Sequence, residues 1–213
     1  SWNLQVLSRK IPTLRFALYD KADKKMIFEE KEPLSFGAKT YQTLKRGGKE
    51  YFYGGGMQQG RFSHGGTDLD ISITGWHEDQ VSNPVPFYMS SNGYGVFRNT
   101  FAPGKYSFSG VGQVAAEDGM KIEYSSTLSH NENRFDAFYF YGPTLKDILN
   151  DYTDITGKPF MPALWMLTMG DADCYNKPEQ RVGWKQQTPD VITQIADKYI
   201  EHDMPRGWIL PND

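Results

Sequence analysis

Over the first two thirds of the chain, apolar and polar positions alternate in short runs broken by Gly, Asn, Asp and Pro, the pattern of strands and turns. RFALYD (15–20) and KMIFEE (25–30) flank a polar link at 21–24 and predict a hairpin. In DLDISITGW (68–76), Leu69, Ile71 and Ile73 alternate with Asp70, Ser72 and Thr74, as in a strand with one wet face. PFYMSSNGYGVFRNT (86–100) gives two strand runs around Ser91, Asn92 and Gly93, and an Asn-Gly pair suits a tight hairpin turn. RFDAFYFYG (134–142) is apolar on both faces, with Phe135, Ala137, Tyr139 and Tyr141 on one and Phe138 and Phe140 beside Asp136 on the other, which predicts a buried central strand. Many short strands with no helical period between them predict a β-sandwich over residues 1–142.

At about residue 143 the pattern changes. GPTLKDILNDYTDITGKP offers Thr144 as an N-cap, a stripe of Leu145, Ile148, Leu149 and Tyr152, and a stop at Gly157 and Pro159, so a short linker helix is expected within 143–161. PALWMLTMGDADCYN (162–176) is a continuous apolar run that turns polar, as in a strand buried on both faces whose end meets solvent or ligand. TPDVITQIADKYIEHD predicts a helix with Thr188 as N-cap and Pro189 at its first position, and an apolar stripe from Val191 to Ile200. GWILPND (207–213) is a second apolar run ending in polar residues. Strand, helix, strand in this order is a βαβ unit with parallel strands, and residues 162–213 read as the incomplete start of a larger parallel domain. Its exposed strand edges predict self-association.

Composition narrows the function. Aromatic residues make up 15% of the 213, more than a core needs, and aromatic faces suit the apolar C–H faces of sugars. The net charge of −3, with Lys and Arg scattered, lacks the basic footprint of a nucleic-acid binder. Cys174 is the sole cysteine, which excludes a disulfide framework and leaves the compartment, cytoplasmic or secreted, open. His64, His77, His130 and His202 lack ligand spacing, so neither a metal nor a cofactor is expected. No apolar run reaches the roughly 18 residues of a membrane span, and SWNLQVLSRK carries no hydrophobic signal region.

Three stretches, in order, are similar to glycoside hydrolase family 31. They are YFYGGGMQQGRFSHGG (51–66), NPVPFYMSSNGYGVFRNT (83–100), and the run from FYFYGPTLKDILNDYTDITGKPFMPALWMLTMGDADCY (138–175) into MPRGWILPND (204–213). The resemblance implies a galactose-mutarotase-like β-sandwich followed by the first βαβ unit of a (β/α)₈ barrel. It also implies an α-linked oligosaccharide substrate and retaining chemistry by two carboxylates about 5 Å apart. In the family both are aspartates on later barrel strands, expected downstream of Asp213, so no catalytic residue is expected in this chain. Asp171 and Asp173, two residues apart past a strand end, suit turn chemistry or sugar-hydroxyl binding rather than acid/base work.

Barrel sites lie at the C-terminal ends of strands. Asp213 ends the second strand and matches a family aspartate that holds sugar hydroxyls. Tyr175 occupies the position of a family aromatic set against the sugar. In the family a sandwich loop reaches over the barrel mouth, which makes Gln58, Gln59, Arg61 and His64 pocket-wall candidates, Gln59 and Arg61 foremost. Gly54, Gly55 and Gly56 are expected to follow a strand and open a Gly-rich loop over 54–66, which lacks the Lys-Ser/Thr pair and helix of a nucleotide loop. MQQGRFSH departs from the carboxylate-bearing loop of many relatives, which marks a separate linkage preference. The reading from a different class is a non-catalytic carbohydrate-binding or interaction sandwich, motivated by the aromatic content.

Overall fold

In a computed structural model the chain divides into two units, residues 1–157 and 158–213. The structure describes residues 2–7, 14–22, 24–58, 62–75, 80–173, 189–205 and 207–211. The first unit contains β1 (Trp2–Leu7), β2 (Arg15–Asp20), β3 (Lys25–Glu29), β4 (Thr40–Arg46), β5 (Phe52–Met57), β6 (Asp68–Ile71), β7 (Asn83–Ser90), β8 (Tyr94–Arg98), β9 (Gly104–Ala116), β10 (Gly119–His130), β11 (Ala137–Tyr141) and the helix α1 (Leu145–Thr156). Its sheets run β1-β2-β3, β4-β10-β9-β6 and β11-β8-β7-β5, every pairing antiparallel.

The two four-stranded sheets bury a common core that includes Leu44, Phe52, Leu69, Tyr88, Val96, Tyr106, Phe108 and Leu128. Phe52 of β5 stacks on Phe108 of β9 with centroids 4.2 Å apart, and Tyr88 of β7 meets Phe108 edge-on at 5.1 Å, so aromatic rings join sheet to sheet. The hairpins at 15–29 and 83–98 form as expected from the pattern, the second turning at Asn92 and Gly93, where Gly93 has φ 87°.

β11 departs from expectation. It is the edge of its sheet, paired only with β8, rather than a central strand. Both its faces are apolar because each has a separate cover. Tyr139 and Tyr141 pack on the sandwich core, while Phe140 joins Phe87 and Ile148 beneath α1. α1 therefore forms an outer layer on this sheet. Thr144 caps it, accepting from Asp147 N at 3.3 Å while the Asp147 carboxylate accepts from Thr144 N at 3.1 Å, and it ends at Gly157, φ 91°. Ile148 is wholly buried, and Tyr152 stacks on Phe87 at 3.9 Å.

Buried polar groups fasten the remaining strands. The Glu30 carboxylate accepts from Phe16 N at 2.8 Å and from Gln42 Nε2 at 2.7 Å, and Gln42 Nε2 also reaches Tyr139 Oη at 2.6 Å. Burial raises the Glu30 pKa, against the lowering effect of these bonds. The fully buried Arg98 guanidinium lies 4.3 Å from the Phe135 ring and donates to the carbonyls of Asp136 and Arg134, both at 3.3 Å. The buried His130 contacts Ala102 O through Nδ1 at 2.9 Å and Tyr106 Oη through Nε2 at 3.0 Å. A carbonyl only accepts, so Nδ1 carries the proton and Nε2 accepts from the tyrosine.

The second unit holds β12 (Gly170–Asp173), α2 (Pro189–Glu201) and β13 (Trp208–Pro211). β12 and β13 pair in parallel, Gly170 opposite Trp208. The apolar run from 162 is not a strand until Gly170. Residues Leu164–Leu167 form a 3₁₀ turn closed by the Thr168 hydroxyl, which donates to Trp165 O at 2.7 Å. Leu164 and Leu167 are exposed rather than buried, because a two-stranded sheet has too little area to cover them.

Burial holds the His130 imidazole below its ordinary pKa. A histidine depressed in the folded state stabilises above its unfolded pKa, about 6.5, and that contribution is lost as pH falls below this value and through the lower folded pKa. Glu30, raised by burial, acts in the opposite sense. Urea melts at pH 7.5 and 5.5 should therefore show a smaller acid-induced loss in His130→Gln than in the natural sequence, and an unchanged loss would contradict the assignment.

Candidate functional site

The loop between β5 and β6 is built on a distorted strand. Gly54, Gly55 and Gly56 lie within β5 rather than after it, with φ of 116°, 79° and 82°, and the pairing with β7 slips between Gly54 and Gly56. This is a glycine-dependent bulge, which turns the strand away from its partner. A Cβ at Gly54 would sit 2.6 Å from the Phe87 carbonyl, and one at Gly56 would strike the carbonyl of Asn83. The returning segment is fastened over the bulge. His64 N donates to Phe52 O at 2.9 Å, and His64 Nε2 lies 3.0 Å from Gly54 O, so Nε2 bears the proton. The Thr67 hydroxyl and amide both donate to His64 O, at 2.8 and 3.1 Å.

The pocket-wall candidates divide accordingly. His64 is buried, its pKa lowered by that burial, and serves the loop's own anchorage. Gln58 Nε2 donates to Gly55 O at 2.9 Å and Asp70 O at 3.0 Å, which closes the loop at its other foot. Gln59, Arg61, Tyr175 and Asp213 lie outside the described residues, as do Cys174 and Thr188. Asp173 closes β12, its backbone opposite Pro211. Phe62, 89% exposed, has its ring 5.7 Å from that of Tyr53 and is an apolar group this loop presents.

Beside the loop, the structure adds a cleft that the sequence pattern gave no reason to single out. It encloses about 630 Å³, with Arg46, Lys49, Tyr51, Ser63, Ser109 and Tyr124 among its lining residues. Arg46 is held by carbonyls, donating from Nε to Ser125 O at 3.2 Å and from Nη1 to Gly47 O at 3.3 Å, with its guanidinium 5.0 Å from the Tyr124 ring. Tyr51 is held at its backbone, with Tyr51 N donating to Ser91 Oγ at 3.0 Å and Ser91 N to Tyr51 O at 2.9 Å, while 54% of the residue stays exposed. Glu50 also borders the cleft, yet it is buried and its carboxylate is engaged by the Ser90 hydroxyl and by Gly47 N.

Comparison with known proteins bears on family and fold. Residues 3–106 match the glycosyl hydrolase 31 N-terminal galactose mutarotase-like domain. Among curated proteins the chain is similar to an α-xylosidase of Lactiplantibacillus pentosus, 30% identical over 170 residues, which is 77% of this chain and 19% of that protein. It is also similar to an α-glucosidase of Bacillus thermoamyloliquefaciens, 27% identical over 205 residues, 94% of this chain and 24% of that protein. The fold is shared with a family 31 dextranase of Flavobacterium johnsoniae, solved with isomaltotriose, at TM-score 0.70 and 20% identity over 97% of this chain and 24% of that one. The chain thus spans a quarter or less of these relatives' length.

The bulge makes a contrast between two glycines. Gly66, φ 78°, has open space where a Cβ would lie, whereas Gly56 has backbone there. Gly66→Ala should cost about 1 kcal/mol, the left-handed strain alone, and Gly56→Ala at least twice that, about 2–3 kcal/mol. Equal losses in urea melts would refute the bulge geometry.

Proposed function

Because the chain belongs to glycoside hydrolase family 31, we propose that it serves a retaining, exo-acting α-glycosidase, an α-glucosidase or α-glucosyltransferase working on α-glucan oligosaccharides. The observation that carries this reading is the match of residues 3–106 to the family's own N-terminal domain, joined by curated relatives that are α-glycosidases. On this reading the sandwich precedes a (β/α)₈ catalytic domain whose first βα unit is β12, α2 and β13. Asp213 accepts hydrogen bonds from hydroxyls of the sugar to be cleaved, Tyr175 covers its apolar face, and Asp173 sits at the same strand ends. Gln59 and Arg61 are assigned as further substrate-binding residues.

The chemistry asked of the whole protein is a double displacement. One carboxylate attacks the anomeric carbon and forms a glycosyl-enzyme, and a second, about 5 Å away, protonates the leaving oxygen and then deprotonates the incoming water or sugar hydroxyl. Both are assigned to barrel strands after Asp213, and no pair within this chain is given that role. Asp213, by accepting hydroxyl hydrogen bonds as a carboxylate, contributes a few kcal/mol of binding to the transition state.

The full-length protein should release p-nitrophenol from p-nitrophenyl α-glucoside, while residues 1–213 alone release none. Inactivity of the full-length protein on α-glucosides, α-xylosides and α-galactosides alike would refute the proposal and favour a non-catalytic carbohydrate-binding sandwich.

A further inference from the structure

We propose that the cleft lined by Arg46, Tyr51 and Tyr124 is a binding site for a neutral α-glucan segment on the sandwich itself. The inference rests on the reading of the protein as an α-glycosidase for the identity of the sugar, and on geometry for the site. A saccharide offers a weakly apolar C–H face and a rim of hydroxyls. It is held by one exposed aromatic ring and by polar groups that are fixed before it arrives. The cleft supplies each of these. Tyr51 is exposed on one wall, and the backbone that carries its ring is pinned to Ser91 by two hydrogen bonds, at 3.0 and 2.9 Å.

Arg46 provides the fixed donor. Two of its nitrogens are committed to carbonyls, which leaves Nη2 without a hydrogen-bond partner among the described residues. Ser109 Oγ donates to Asp68 Oδ1 at 3.0 Å and lies 2.9 Å from Ser107 Oγ, so at least one of its two lone pairs remains available to a sugar hydroxyl. The one carboxylate among the lining residues, Glu50, is buried and engaged by Ser90 and Gly47, so the lining offers no exposed anion. Close approach of the walls depends on Gly48, where a Cβ would lie 2.7 Å from the Tyr124 ring. A donor-rich cleft with an exposed ring selects a hydroxyl-bearing ligand, and the ring makes contact area, rather than charge, the source of affinity.

Affinity electrophoresis of the 213-residue chain in native gels containing soluble starch or dextran tests this directly. The chain should be retarded in at least one of the two gels, and 0.5 M NaCl in a parallel pull-down should leave binding unchanged. Tyr51→Ala should weaken binding about tenfold, the loss of one aromatic contact. Phe101→Ala, which removes an exposed ring outside the cleft lining, should leave it as it was. No retardation in either gel, equal loss from both substitutions, or binding abolished by salt, as for an anionic ligand, would each overturn the proposal. Should the full-length protein still cleave α-glucosides in that event, the cleft assignment alone fails and the α-glycosidase reading stands.

Discussion

The structure of the first unit depends on one contact between sheets, the stacking of Phe52 on Phe108 at 4.2 Å. Phe52 opens β5 and Phe108 lies in β9, so this pair sets where the two four-stranded sheets meet face to face. Tyr88 and Tyr106 continue the aromatic layer at 5.9 Å from one another, and the whole group is sealed from solvent. Burial of such rings contributes about 2–3 kcal/mol each, and their geometry also fixes direction. The residue after Tyr53 must leave the core, and three glycines let it do so sharply. His64 then bonds to the carbonyls of Phe52 and Gly54, so the loop is anchored to the backbone that the aromatic contact holds. Core, bulge and loop foot are consequences of a single placement.

Legibility in the sequence followed how local the determining interaction is. α1 could be read almost to the residue, because Thr144 and Gly157 cap it through bonds within one turn. The Asn92-Gly93 hairpin was equally plain. β11 was misread as central because an edge strand roofed by a helix carries the same two apolar faces as an interior strand; only the position of Ile148 distinguishes them. The apolar run at 162–169 was misread as a strand because periodicity says nothing about a 3₁₀ turn held by the Thr168 hydroxyl. Gly54–Gly56 were placed in a loop, since a run of glycines inside a strand has meaning only once its partner, β7, is known.

The candidate site was legible in a different way. His64 and Gln58 were found from the loop that carries them, yet their hydrogen bonds turn inward to Gly54, Gly55 and Asp70 and make them the loop's fastening. The cleft at Arg46 and Tyr51 had no signature in the chain, because its walls come from β4, β9, β10 and the turn before β5, and only the fold assembles them. Residues that act together across such distances are invisible to motif spacing and visible to hydrogen-bond accounting.

The match of residues 3–106 to the family 31 N-terminal domain supports the proposal that the full-length protein is a glycosidase that keeps the anomeric configuration of an α-linked substrate. The most direct measurement is proton NMR of the sugar released by the full-length protein in the first minutes of α-glucoside hydrolysis. The account predicts that the α-anomer appears first and that the β-anomer grows in only by mutarotation, while a β-anomer formed first would contradict it.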